Sequence, residues 1–105
     1  MAKEISVSEL YTLLKTDDSR RIIVDVRMPF EVLSGKIKGA VNIPMNEVVA
    51  EKDRLAQYGT VYTVCQSGGR SLLAATELEI AGLTNVCNVD GGMREWRARG
   101  YPIEI

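Results

Sequence analysis

The 105-residue chain contains no histidine, and this absence excludes more than any other. It removes imidazole bases, His metal ligands and His-based pH switches together. Cysteine is scarce: Cys65 and Cys87 stand far apart with no C-x-x-C pairing. That argues against a zinc site or a disulfide framework and for reduced thiols in a cytoplasmic setting. No excess of either charge exists, with 13 Lys+Arg against 14 Asp+Glu. A surface without a basic field does not hold nucleic acid or an anionic membrane, so neither is expected as a partner. No apolar run approaches ~18 residues, so no membrane-spanning helix is expected. The opening MAKEISVSEL lacks the apolar core of a signal peptide.

What remains has ordinary globular proportions. Apolar residues make up 46% and charged residues 26%, enough for one hydrophobic core, and residues 1–105 are read as a single domain. Strand-like and helix-like textures alternate along it. The run Ile22-Ile23-Val24-Asp25-Val26 suits a strand covered on both faces. Ala40–Ile43 is a weaker strand. Val61-Tyr62-Thr63-Val64-Cys65, entered through Gly59, is a good one, and Asn85–Val89 is a fourth. Between them fall helix signals. Ser6 and Glu9 have capping-box spacing ahead of Leu10, Leu13 and Leu14. Pro29 and Gly35 bracket a short helix, residues 47–57 carry apolar positions at helical spacing, 71–81 stops at Gly82, and 93–99 stops at Gly100. Strands alternating with helices predict parallel βαβ units, hence an α/β sheet with helices on both faces. Sites in such sheets gather where a strand's C-terminus meets the next helix.

One junction stands out. The strand ending at Cys65 is followed by Gln66-Ser67-Gly68-Gly69, then Arg70, with a helix expected near Ser71. Two glycines let a very short loop curl through positive φ. A curled loop aims successive N–H groups inward and attracts anions. The helix behind contributes free N–H groups and its positive dipole end. Arg70 adds a forked cation. These features, converging on the sulfur, predict a thiolate at Cys65. The competing reading makes Cys65 a small hydrophobe at a strand end, the glycines a plain tight turn and Arg70 a solvated side chain. A cation at a helix N-terminus opposes the dipole, so its placement implies an anion nearby.

Other residues are expected to be structural. Asp25 and Arg27 share a strand face and are read as an ion pair that braces the fold. Trp96 is read as a core anchor. Arg94, Arg97 and Arg99 are read as a solvated face, with a docking patch for an anionic donor or partner as the rarer alternative. Cys87 is read as inert packing, with a resolving role only if the fold brings it near Cys65.

At these residues the sequence resembles the rhodanese-like, or sulfurtransferase, domains. Asp25-Val26-Arg27 with Pro29 and Glu31 resembles the first family motif, and Gly35–Pro44 the second. Cys65–Ser71 resembles the active-site loop, and Gly91-Gly92, Trp96 and Gly100-Tyr101-Pro102 the closing segment. Lys36 departs from the family's usual histidine at a position outside the loop. The resemblance implies a three-layer α/β sandwich with a central, mostly parallel sheet of about five strands. It implies Cys65 as nucleophile and persulfide carrier, Gln66, Ser67, Gly68 and Gly69 as an amide cradle, and Arg70 as the cationic loop end, with no cofactor and no metal. The implied partners are a small anionic donor such as thiosulfate and a thiol or cyanide acceptor, with a protein acceptor as a further candidate. A persulfide carrier or regulatory module serving a protein partner is the alternative. Phosphatases and arsenate reductases of the same fold are a weaker one, because the phosphatases' Cys-to-Arg loop is one residue longer.

Overall fold

A computed structural model describes residues 2–105. Five parallel strands form one sheet in the order β1-β5-β4-β2-β3. They are β1 (Lys3–Ser6), β2 (Arg21–Asp25), β3 (Val41–Asn42), β4 (Thr60–Val64) and β5 (Val86–Asp90). The helices are α1 (Val7–Leu13), α2 (Pro29–Val32), α3 (Lys52–Leu55), α4 (Gly69–Ile80) and α5 (Gly92–Ala98), and a 3₁₀ turn spans Val49–Glu51. None of these helices is long and apolar enough to cross a membrane.

Two cores sandwich the sheet, as the β-branched strand sequences require. Ile22, Val24 and Val61 pack under Leu55 and, on α4, Ala74, Ala75 and Leu78. Ile23, Tyr62, Val64 and Val89 pack on the other face under Val7 and Leu10 of α1 and Met93 and Trp96 of α5. The indole N–H of Trp96 donates to the Pro102 carbonyl at 2.8 Å, so a buried ring keeps its polar atom satisfied. Each strand read from the sequence is present, displaced by about one residue. The most consequential displacement is at β4, which ends at Val64 and leaves Cys65 as the first loop residue.

Three differences have physical causes. β1 carries little strand signal, because it is a short sheet edge whose Lys3 and Glu4 face solvent. The helix expected over 47–57 divides into the 3₁₀ turn and the single-turn α3. The helix expected from Ser71 begins two residues earlier, at Gly69.

The topology places the site. β2 and β4 are neighbours, yet the chain leaves β2 toward β3 on one side and leaves β4 toward β5 on the other. Between strands whose connections diverge, a crevice opens at the C-terminal ends. The end of β2 is rigidified there by the expected ion pair. Arg27 Nη2 lies 2.7 Å from Asp25 Oδ2 and its Nε 2.9 Å from Oδ1, both side chains being buried. The same guanidinium donates to the Gly35 carbonyl at 3.0 Å and tethers the segment that carries α2. Replacing Arg27 by methionine strands the Asp25 carboxylate in the interior. Urea unfolding is expected to show a loss of about 3–5 kcal/mol; a loss below ~1 kcal/mol contradicts the bracing role.

Candidate functional site

The loop Cys65–Gly68 leaves β4 and turns directly into α4. Gly68 makes the turn with φ at 105°, a conformation open to glycine at little cost. This aims its N–H at the Cys65 sulfur, 3.0 Å away. Gly69 needs no such freedom. It is already helical, and a Cβ there would meet nothing within 4 Å. One glycine, not two, is therefore required by the loop's geometry.

A second constraint holds the loop in place from outside. The first turn of α5 has free backbone donors, and two of them capture loop carbonyls: Met93 N–H bonds Cys65 O and Arg94 N–H bonds Gln66 O, each at 2.8 Å. Holding the Gln66 carbonyl toward α5 fixes the peptide group whose other side carries the Ser67 N–H, one of the donors that lower the Cys65 pKa. The approach is so close that a Cβ on Gly92 would overlap the Cys65 carbonyl oxygen and lie 2.9 Å from that of Gln66. Below the loop, buried Thr63 donates to the Ser71 carbonyl at 3.1 Å. Asn88 reaches toward the Gly68 carbonyl at 3.5 Å, and the Ser71 hydroxyl donates to it at 3.2 Å.

The sulfur sits at the floor of this arrangement, with Cys65 only 1% exposed. Burial pushes the thiol pKa up, but the Ser71 hydroxyl and the N–H groups of Ser71, Gly68 and Ser67 outweigh it. The net shift is below the ordinary cysteine value. Burial is thus no obstacle to ionisation where the surrounding peptide hydrogens face the sulfur. Cys87 is shifted the opposite way, raised chiefly by burial. It packs on the face of the sheet covered by α1 and α5, while Cys65 belongs to the opposite core. The sheet thus separates Cys87 from the core to which Cys65 belongs.

Arg70 corrects the sequence reading. Its guanidinium does not converge on the sulfur but grips Glu31 of α2 through two bonds, Nη1 to Oε1 at 2.7 Å and Nη2 to Oε2 at 2.8 Å. The hydrogen bonds from Arg70 hold the Glu31 carboxyl down to about 2, so it stays ionised through the neutral range. The anion implied by a cation at a helix start is supplied by the protein itself. Gln66 and Gly69, expected in the amide cradle, have other tasks: the first offers its carbonyl to α5, and the second opens α4.

Sequence reasoning named Glu31, Ser71 and Gly92 within motifs but gave none of them a role of its own. Glu31 sits at the third position of a helix beginning with Pro29 and accepts the Met28 N–H at 3.0 Å, which alone would explain it as a cap. No local signal announces that it also reaches across 39 residues. Lys36 bonds the Ala40 carbonyl at 3.0 Å and pairs with Glu104 at 3.3 Å, outside the loop as expected. Arg97 bonds the Ser34 carbonyl and Arg99 pairs with Glu95. A cavity of about 640 Å³ lies elsewhere, between Tyr11, Arg21, Lys38 and Trp96, toward the N-terminal end of β2.

This geometry carries two expected outcomes. Replacing Ser71 by alanine removes the hydroxyl that helps lower the Cys65 pKa and keeps the backbone N–H, so the pH profile of Cys65 alkylation should move to higher pH; a profile left in place contradicts the assignment. Gly92→Ala should lower stability by about 2 kcal/mol or more and slow Cys65 alkylation, since positive φ and a backbone clash combine there. Gly69→Ala should do neither.

Comparison with known proteins agrees with this fold. The family model described as Rhodanese-like domain matches residues 6–99. A putative sulfur carrier protein, YrkF of Bacillus subtilis, is 35% identical over 91% of this chain, which spans only about half (51%) of that relative. A sulfurtransferase of Allochromatium vinosum is 32% identical over 98% of this chain and 95% of its own length. The crystal structure of a rhodanese-related protein from Thermoplasma volcanium superposes with a TM-score of 0.84 at 32% identity, covering 97% of each chain. With the fold, the loop and the family model in agreement, this chain belongs to the rhodanese-like domain family.

Proposed function

We propose that the protein is a sulfurtransferase that carries sulfane sulfur as a persulfide on Cys65. Family membership and the names of its relatives support sulfur transfer in general. The observation that carries the finer reading is the Gly68 N–H aimed at the buried Cys65 sulfur from 3.0 Å, in surroundings that lower the thiol's pKa. The Cys65 thiolate attacks the outer sulfur of a donor such as thiosulfate. A bond forms between Sγ and that sulfur, the donor's S–S bond breaks, and sulfite leaves with the electron pair. The cradle that holds the thiolate holds the resulting persulfide anion in the same way. A nucleophilic acceptor, cyanide or a thiolate, then takes the terminal sulfur and returns the Cys65 thiolate. Charge and electrons balance in both steps without a metal or an organic cofactor. The deep sulfur favours a slender terminal sulfur over a bulky electrophile.

A second reading makes the protein a persulfide carrier that serves a protein partner. It is favoured by Phe30 of α2 (72% exposed) and Leu33 at that helix's C-terminal cap (76% exposed), which flank Glu31 in sequence. The name of the Bacillus subtilis relative points the same way. Turnover separates the two.

Incubation with thiosulfate should add one sulfur atom to the intact mass. A reductant should remove it, and Cys65→Ser should never acquire it. Thiocyanate formation from thiosulfate and cyanide should fall by at least ~100-fold in that variant. No mass gain in the unaltered protein refutes the persulfide reading. Mass gain without turnover selects the carrier. Phosphate release from a chromogenic ester faster than thiocyanate formation replaces both with a phosphatase.

A further inference from the structure

The charges at the mouth of the loop do not favour a highly charged donor. On the proposed reaction, a thiolate meets thiosulfate, so three negative charges must gather over one loop. Arg70 is the cation best placed to offset them, since it stands in the first turn of α4 beside the loop and lies within electrostatic range of Cys65. Yet Nη1 and Nη2 each give one N–H to Glu31, whose carboxylate offsets the guanidinium's charge. Asp90 adds a carboxylate oxygen 3.9 Å from where a Cβ on Gly68 would lie. Arg94 adds a cation on the first turn of α5, whose backbone holds Gln66. Glu31, Arg70, Asp90 and Arg94 therefore sum to no net side-chain charge around the loop. The attraction left for a donor comes chiefly from main-chain N–H groups, which carry partial charges and fall off steeply with distance.

Glu31 is itself held firmly. It caps its own helix through the Met28 N–H, and Arg27, buried against Asp25, approaches its backbone carbonyl at 3.4 Å. A carboxylate so anchored keeps its grip on Arg70 instead of yielding to a passing anion. From this we infer that Glu31 is the specificity-determining residue for donor charge: it withholds the Arg70 guanidinium and biases the site toward sulfane donors of low charge, such as organic thiosulfonates and persulfides, over dianionic thiosulfate. The inference rests on the sulfurtransferase reading and adds to it the class of donor.

Thiosulfate and benzenethiosulfonate provide the test. Both deliver a terminal sulfane sulfur to a thiolate; sulfite leaves from the first and benzenesulfinate from the second, each with the electron pair. They differ by one negative charge. Glu31→Gln keeps an acceptor for the Met28 N–H and removes the charge. In this variant the ratio of kcat/KM for thiosulfate to that for benzenethiosulfonate should rise about three- to tenfold, through a lower KM for thiosulfate. Adding Arg70→Ala should return the ratio to its original value. An unchanged or lower ratio in Glu31→Gln overturns the assignment, as does a rise that survives the loss of Arg70. Sulfur uptake from excess benzenethiosulfonate, read by intact mass, certifies each variant's site. If Glu31→Gln takes up none, Glu31→Ser stands in with the same expectation. If the unaltered protein gains sulfur from neither donor, the sulfur-transfer reading has failed and this assignment falls with it. Sulfur gain with an unmoved ratio removes this assignment alone.

Discussion

The site depends on two hydrogen bonds that do not touch the sulfur. Met93 and Arg94, at the first turn of α5, hold the carbonyls of Cys65 and Gln66. A peptide group has a carbonyl on one side and an N–H on the other, so fixing the carbonyl also orients the N–H. Without that clamp, the peptide groups that follow Cys65 and Gln66 could turn their donors to water. Gly92 is what allows the clamp to close, because any side chain there would occupy the space of the captured carbonyls. One helix N-terminus thus orders the loop, while a second, that of α4, stands behind the sulfur.

Charge is handled in pairs around this main-chain core. Asp25 and Arg27 neutralise each other inside the protein, and Arg27 ties the α2 segment to the end of β2. Glu31 and Arg70 neutralise each other closer to solvent and join α2 to α4. The two pairs make a continuous path from a buried strand to the edge of the loop. Their consequence is an electrostatic division of labour. Partial charges from N–H groups act on the sulfur, while full charges on side chains brace the walls. Fixed dipoles of this kind hold a negative charge without a mobile counter-ion and with little rearrangement.

How much of this is legible before folding varies from residue to residue. The β-branched run at 22–26 and the glycine-terminated helix at 71–81 declare themselves through local pattern, and both are present. So does the Cys-to-Arg loop, since its residue types are unusual together. β1 is silent because an edge strand with solvent-facing Lys3 and Glu4 has neither a continuous apolar run nor a clear alternation. The expectation for Arg70 is half right. A cation at a helix start does need an anion, but the requirement says nothing about whether substrate or protein supplies it. Gly68 and Gly69 look alike in sequence, yet only one adopts positive φ.

Residue order by itself therefore determined most of the elements, their alternation into a parallel sheet, and the Cys-to-Arg loop as the candidate site. These arise from side-chain branching, glycine freedom and apolar spacing, which act within a few positions of the chain. Tertiary structure alone decided which groups stabilise the sulfur, where Arg70 directs its charge, and why Gly92 cannot carry a side chain. Those outcomes are set by distances between segments tens of residues apart. Hydrogen bonds and close contacts act over only a few ångströms, so they do not exist until the sheet brings the ends of β2, β4 and β5 together.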